Sequence, residues 1–409
     1  MTEEKKTAIS FAQAKKAEQL FGTPCFLFDE AGIHEELKAL HCAFAKQEDY
    51  CNYIPIRDVP NPVLLHHLVQ AGCGLLAVGK GELMLAEKCG VHGEQLLYQP
   101  VCKDFSGAEL AEKLHAAWLA VSPELLPPMP VRQVLLRCLP EKEYMKPLRY
   151  VKTAGLKDGM SFRQLTLAVQ MLMARGYEEV GLELQLKPYD LHTGFYSGKT
   201  EVLFSIGMDL QKQTGVRISV CNPGDNPGHD YRKDRVPCSI TEEAQRIFEI
   251  QQSLPSDFRP RVQTALGRQI LQNHGMLLTK VQEIRRTEKR YLVVNASVAQ
   301  CLRIAVQKTE HRVSLLYGKS KKERSPMLYS VIGQQPDGFD HFAAACVLPE
   351  AQEGDYCLIQ DMGCSGISMP SFYGLLPMYP ACLMQENGEL IQLSPGRTEQ
   401  DVLEFLTAW

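Results

Sequence analysis

Residues Tyr53 to Cys89 read YIPIRDVPNPVLLHHLVQAGCGLLAVGKGELMLAEKC. Tyr53 to Ile56 is a short apolar run of strand type. Asn61 to Gly72 has helical spacing, with Leu64, Leu65, Leu68 and Val69 on one face and Gly72 near its stop. Gly74 to Val78 is again strand-like, and Gly81 to Cys89 is helical. Two strands, each followed by a helix within forty residues, predict a parallel sheet with helices packed outside it.

The alternation extends in both directions. Before it lie a strand candidate at Phe26 to Phe28 and a helix over Ala31 to Lys46. After it come strands at Gln95 to Tyr98, Trp118 to Val121, Val134 to Leu139, Val180 to Leu186 and Val216 to Cys221. Helices are predicted at Gly107 to His115, Phe162 to Arg175 and Thr200 to Gly215. At least seven strand candidates favour a closed (β/α)8 barrel of TIM type over an open sheet. After about residue 270 the pattern changes to short strands with few helices between them: Tyr291 to Val294, Arg312 to Tyr317, Met327 to Ile332, Tyr356 to Gln360 and Tyr379 to Met384. The expected organisation is therefore an N-terminal segment over 1–29, its strand joining a later β-domain, a barrel over 30–270, and a C-terminal β-barrel or β-sandwich domain over 271–409. The segment Asn222 to Arg235, rich in Gly, Pro and Asp, reads as a loop at the end of a strand.

Composition narrows the class. The 409 residues are 45% hydrophobic and 22% charged, with a formal net charge of −4, so no global field attracts nucleic acid. The basic stretch Lys319 to Arg324 reads as a solvated loop. No run of 18 apolar residues occurs, and the start of the chain lacks an export signal, so neither a membrane span nor secretion is expected. The 14 cysteines are scattered and form no CxxC pair, which argues against a zinc or dithiol site and for a reducing, cytoplasmic setting. His66, His67 and His192 are unclustered, and Asp225, His229 and Asp230 read as loop residues, so no metal is expected. There is no GxxxxGKS, HExxH or GxSxG motif.

Several local strings, in order along the chain, carry a resemblance. Phe21 to Asp29 (FGTPCFLFD) is similar to FGTPLYVYD, Tyr53 to Pro62 to FYAVKANPNP, and Gly72 to Ala86 to GCGLDCSSLPELLLA. Ala265 to Arg268 (ALGR) stands where EPGR is expected. Val294 to Arg303 resembles VDAGMNDLMR, Ile332 to Phe342 resembles VGSLCENNDKF, and Asp361 to Tyr373 resembles DTGAHGHAMGFNY. These seven strings are those of the diaminopimelate and ornithine-arginine decarboxylases, pyridoxal-phosphate enzymes of fold type III. The resemblance implies an alanine racemase-like barrel with a C-terminal β-domain, working as a homodimer on amino acids.

It also implies a site that this sequence fills differently. Arg57 falls at the position of the Schiff-base lysine. A guanidinium keeps its proton, with a pKa above about 12, and cannot form the internal aldimine. Ala265 replaces the glutamate that pairs with the pyridinium nitrogen. Gln185 replaces the histidine that packs on the ring. Pro336 stands at the proton-donating cysteine, with Asp337 at the acidic residue beside it. The GGGxG phosphate loop falls at Pro223 to Pro227, where only Gly224 survives; Pro223 removes an N–H donor and Asp225 brings a negative charge. Gly267 and Arg268, Tyr373, Arg303 and Arg137 match family positions for the phosphate, the substrate carboxylate and the ring. With Arg57 they could line an anion pocket, or each could be a structural tie.

The reading that follows is a decarboxylase-like pseudoenzyme with no covalently held cofactor, binding a small anionic or amino-acid-like ligand. Two alternatives stay open. One is an active pyridoxal-phosphate decarboxylase or racemase with a relocated lysine, for which Lys80, two residues before Glu82, is the candidate. The other is a cofactor-free enzyme in the same pocket, with Asp58, Asp337, His341 and the arginines as acid–base groups.

Overall fold

The computed structural model describes residues 9–148, 150–151, 156–186, 193–225, 239–309, 311–318 and 324–408. They fall into two compact units. One contains the described residues of Glu36 to Gln269; the other contains those up to Glu35 together with Ile270 onward. Arg235 and the loop beyond Asp225, with His229 and Asp230, lie outside the described residues, as do His192, Cys238 and most of the basic stretch from Lys319.

The first strand of the chain, β1 (Cys25–Asp29), belongs to the second unit and is taken up below. The barrel unit holds eight parallel strands: β2 (Tyr53–Pro55), β3 (Gly74–Ala77), β4 (Leu96–Tyr98), β5 (Ala117–Ala120), β6 (Val134–Arg137), β7 (Glu179–Glu183), β8 (Arg217–Asn222) and β9 (Arg261–Val262). Each pairs with the next in sequence, as in Tyr53 with Gly74 and Leu136 with Leu182. A bridge between Asn52 and Thr264 closes the ring. There the Tyr53 N–H donates to the Thr264 carbonyl at 2.8 Å and the Thr264 N–H to that of Cys51 at 3.1 Å. Strands covered on both faces must be apolar throughout, which is why β3, β4, β5 and β6 are buried at every residue. Tyr53, Leu76, Leu97, Ala117, Leu119, Leu135 and Val220 pack into one cluster.

Local chemistry sets the helix after β2. The Asn61 side chain accepts from the N–H groups of Val63 and Leu64, both at 3.1 Å, and Pro62 occupies the first helical position, where its missing N–H is no loss. We expect Asn61→Ala to lower stability by about 1 kcal/mol, read as a shift of the urea midpoint; an unchanged midpoint would show that the cap is dispensable.

The helix expected over Thr200 to Gly215 starts earlier, at Phe195. The cause is remote in sequence. Glu243, fully buried on the helix Ile240–Ser253, accepts from the Gly194 N–H with one oxygen and from the Ser197 N–H, at 2.6 Å, with the other. A carboxylate on otherwise unpartnered N–H groups at the positive end of a helix lets one more turn form.

The second unit is a mixed sheet. Beside β1 its strands are β10 (Gly275–Arg286), β11 (Arg290–Val294), β12 (Val313–Leu316), β13 (Pro326–Ile332), β14 (His341–Pro349), β15 (Tyr356–Ile359), β16 (Ala381–Met384) and β17 (Leu390–Ser394). Their order is β14-β13-β11-β10-β1-β16-β17, with β15 also paired to β10 and β12 paired to β15. Strand β1 runs antiparallel to β10, Cys25 facing Leu278, and parallel to β16, Leu27 facing Cys382. A bulge between Val281 and Glu283 lets the long β10 pair with β1 and β15 at one end and β11 at the other. The architecture is thus a TIM-type barrel and a mixed β-sheet domain, the alanine racemase-like fold.

Candidate functional site

In a parallel barrel the C-terminal ends of the strands build the functional face. Here that face carries a buried charge network. Arg137, the last residue of β6, is 3% exposed, and Glu183, the last residue of β7, is 5% exposed. The Arg137 Nε donates to Glu183 Oε2 at 2.6 Å and its Nη2 to Glu183 Oε1 at 3.2 Å; Nη2 also donates to Gln99, just after β4, at 3.0 Å. The register that sets Arg137 beside Glu183 makes the pair a geometric consequence of neighbouring strands. Arg137 is therefore a tie between strands with its guanidinium already engaged.

Next to this network the loop after β8 is fixed. Gly224 has a φ of 73°, and a Cβ on it would lie 2.5 Å from the Leu184 carbonyl oxygen, so only glycine fits. Its N–H donates to Asn222 Oδ1 at 2.9 Å. Its carbonyl accepts from the Tyr196 hydroxyl at 3.0 Å and from the Ala265 N–H at 3.2 Å. Lys199, in the first turns of the helix Phe195–Thr214, is completely buried, and its Nζ donates to the Asp225 carbonyl at 3.1 Å. Burial pushes its pKa down to about 8, opposed by the charges of Asp225 and Glu183 and reinforced by Arg137.

At the end of β2, Ile56–Asp58 forms a single 3-10 turn with Arg57 exposed and Asp58 half-buried. Glu82 accepts from the Val78 N–H at 2.9 Å. Burial raises its carboxyl above the usual range; the Val78 bond and the Arg57 charge pull it back, and Asp58 adds to the rise. Arg57, Asp58 and Glu82 therefore form one charged corner. A Cβ on Gly267 would lie 3.6 Å from Asp58 Oδ2 and 2.9 Å from Pro55, so the turn carrying Gly267 and the half-buried Arg268 packs against it. Lys80 is exposed at the first position of the helix Lys80–Lys88. Gln185 is half-buried and Ala265 is buried.

The remaining positions lie in the sheet unit. Arg303 is 5% exposed, with Nη1 donating to Ser365 Oγ at 3.4 Å. Pro336 is exposed and Asp337 half-buried on the loop between β13 and β14. Asp340 holds that loop: one oxygen accepts from the Val298 N–H at 2.6 Å and Ser297 Oγ at 3.1 Å, the other from the Gln335 N–H at 2.8 Å. Tyr373 is exposed; its hydrogen bond to Asp337 raises its pKa. Its ring meets Phe339 edge-on at 5.6 Å. His341 is exposed at the start of β14.

Measured against pyridoxal phosphate, the barrel's donor set does not fit at the expected positions. Residue 57 offers a guanidinium, Ala265 offers no carboxylate for a ring nitrogen, and the surviving glycine's N–H is already bonded to Asn222. Sequence reading missed Glu183, Gln99 and Lys199. A signal for the first existed, since a charged residue within an apolar strand calls for a buried partner. Lys199 gave none, standing among small and polar residues. No described helix is long and apolar enough to cross a membrane.

Comparison with known proteins identifies what the fold resembles. Residues 25–363 match the pattern of the family described as pyridoxal-dependent decarboxylase, C-terminal sheet domain. Protein TabA of Pseudomonas amygdali pv. tabaci is 23% identical over 386 residues, spanning 93% of this chain and 90% of that protein. The diaminopimelate decarboxylase of Methanothermobacter thermautotrophicus is 25% identical over 407 residues, 97% of this chain and 94% of its own. Among solved structures, the diaminopimelate decarboxylase of M. jannaschii in co-complex with L-lysine superposes with a TM-score of 0.86 at 20% identity, covering 95% of this chain and 93% of that one.

Proposed function

Since the chain belongs to the pyridoxal-dependent decarboxylase family, we propose that it is a pseudoenzyme of that family, keeping the scaffold without the Schiff-base chemistry at position 57 and binding a small anionic or amino-acid-like metabolite. The observation that carries this reading is the guanidinium of Arg57 at the end of the first barrel strand. It cannot release a proton to become the nucleophile an aldimine requires. The missing partner at Ala265 and the occupied N–H of Gly224 support the same reading, because residues that act as a unit lose their purpose together. An exposed Lys80 at a helix start lacks the desolvation that would make its amine reactive, which counts against it as a relocated lysine.

The ligand class rests on two supports. A related structure is a co-complex with L-lysine, and at the barrel end Arg57 is exposed and Arg268 half-buried. The reading places the protein in the cytoplasm as a homodimer. Exposed Phe339, Phe372, Tyr373 and Leu375 in the sheet unit give a second copy an apolar surface to cover.

The test is an absorbance titration of the purified protein with pyridoxal phosphate, followed by borohydride and peptide mapping. The expected result is no new visible band and no fixed adduct. A band that borohydride converts into a pyridoxyl-lysine overturns the pseudoenzyme reading and names the lysine.

A further inference from the structure

Lys199 has no part in the family scheme, yet its surroundings are those of a reactive amine. It is the one lysine among the described residues that is buried, and its exposure is zero. An ammonium has three N–H groups to place. Among the described residues Lys199 has one hydrogen-bond acceptor, the Asp225 carbonyl, while the rings of Tyr196 and Phe195 lie 5.4 and 5.8 Å from its nitrogen. No carboxylate of the described residues lies within salt-bridge distance of it, because Glu183 is committed to Arg137. An under-solvated ammonium of this kind gains by giving up its proton and exposing a lone pair. The Asp225 side chain adds a second group of this kind on the same loop residue: its Oδ1 is buried with no hydrogen-bond partner among the described residues.

The place also selects. The loop carrying Asp225 lies at the C-terminal ends of β7 and β8, the functional face of such barrels. Asp225 puts a negative charge beside the amine, Pro223 has no N–H, and the Gly224 N–H is already donated to Asn222. A phosphate would meet repulsion at Asp225 without a free N–H donor from the described residues of this loop, Pro223 to Asp225.

We propose that Lys199 is a carbonyl-capturing amine for small, uncharged aldehydes. The neutral Nζ lone pair forms a bond to the carbonyl carbon as the C=O π pair moves to oxygen. A proton passes from nitrogen to that oxygen, and the carbinolamine loses water as the C=N bond forms. Nothing is oxidised or reduced. The ligand must displace the bond from Lys199 to the Asp225 carbonyl to reach the nitrogen.

Propanal is the probe, used at limiting concentration at pH 7 with cyanoborohydride, and adducts are mapped by peptide mass spectrometry. An exposed lysine is almost wholly protonated at this pH, so the Lys199 peptide is expected to carry at least about tenfold more adduct than any other lysine peptide. Prior unfolding in urea should erase the preference. Glyceraldehyde 3-phosphate should leave Lys199 unmodified. Adduct at Lys199 no greater than at exposed lysines, or none there, overturns the proposal; equal labelling by the phosphorylated aldehyde overturns its selectivity. Lys199→Arg should lose the selective adduct, and because the mapping is done on the native chain the result stands even if that variant does not fold. The inference is independent of the reading at position 57. A pyridoxyl adduct on another lysine would end that reading and leave this one intact, whereas a silent Lys199 with no pyridoxyl adduct would do the reverse.

Discussion

Glu183→Ala is expected to lower the unfolding free energy by about 3–5 kcal/mol, the cost of leaving a buried charge without its partner. Side-chain exposure is 4% for Arg137 and 6% for Glu183, so neither group has water to fall back on. Removing the carboxylate leaves the guanidinium with Gln99 alone among the partners described above. Because the cost comes from the orphaned cation, replacing both partners should recover most of it. Arg137→Met with Glu183→Leu is expected to come within about 1 kcal/mol of the native chain, as buried ion pairs often exchange for apolar pairs at little cost. Urea unfolding of the two single variants and the double one checks this. A loss below about 1 kcal/mol in Glu183→Ala would mean that water or another group solvates Arg137, and the network would no longer count as the packing of the barrel's functional end.

That network shows where sequence reading stops. The alternation of strands and helices, and the change of character after residue 270, were legible because burial on two faces forces continuous apolar runs such as Val134, Leu135 and Leu136. The reading of Arg57, Ala265 and Pro336 as substitutions rests on the order of the motifs alone. The role of Arg137 was not: its residue type fits an anion site as well as a tie, and only the β6–β7 register, which sets it beside Glu183, distinguishes the two. The early start of the helix at Phe195 depends on Glu243, 48 positions further on, which local propensity cannot see. Strand β10 turns polar toward Arg286 and offers no continuous apolar run, whereas residues 342–348 of β14 are apolar throughout and lack the alternation that separates a strand from a helix segment. Lys199 was hidden for a similar reason, since its burial comes from packing around a helix start whose neighbours Ser197, Gly198 and Thr200 look like those of an exposed turn.

Lys199→Met should reveal how the buried amine is held. In the folded chain its pKa is pushed down to about 8, by burial first, with Asp225 and Glu183 opposing and Arg137 assisting. In the unfolded chain it returns to near 10.5. Between these values the unfolded state binds more protons, so the native chain gains stability as pH rises. The gain is complete above the unfolded value and is lost as pH falls through the folded one. At 1.36 kcal/mol per pH unit the interval is worth about 3 kcal/mol. A methionine carries no such linkage and fills a similar volume. The difference in unfolding free energy, native minus Lys199→Met, is therefore expected to climb by about 3 kcal/mol between pH 7 and 10.5 and to be least favourable to the native chain at pH 7. The lost bond to the Asp225 carbonyl contributes an offset independent of pH and does not affect the slope. Urea midpoints of the two proteins across this range decide the matter. A flat difference would show that the amine keeps its proton when buried, and a protonated Lys199 has no lone pair with which to attack a carbonyl carbon.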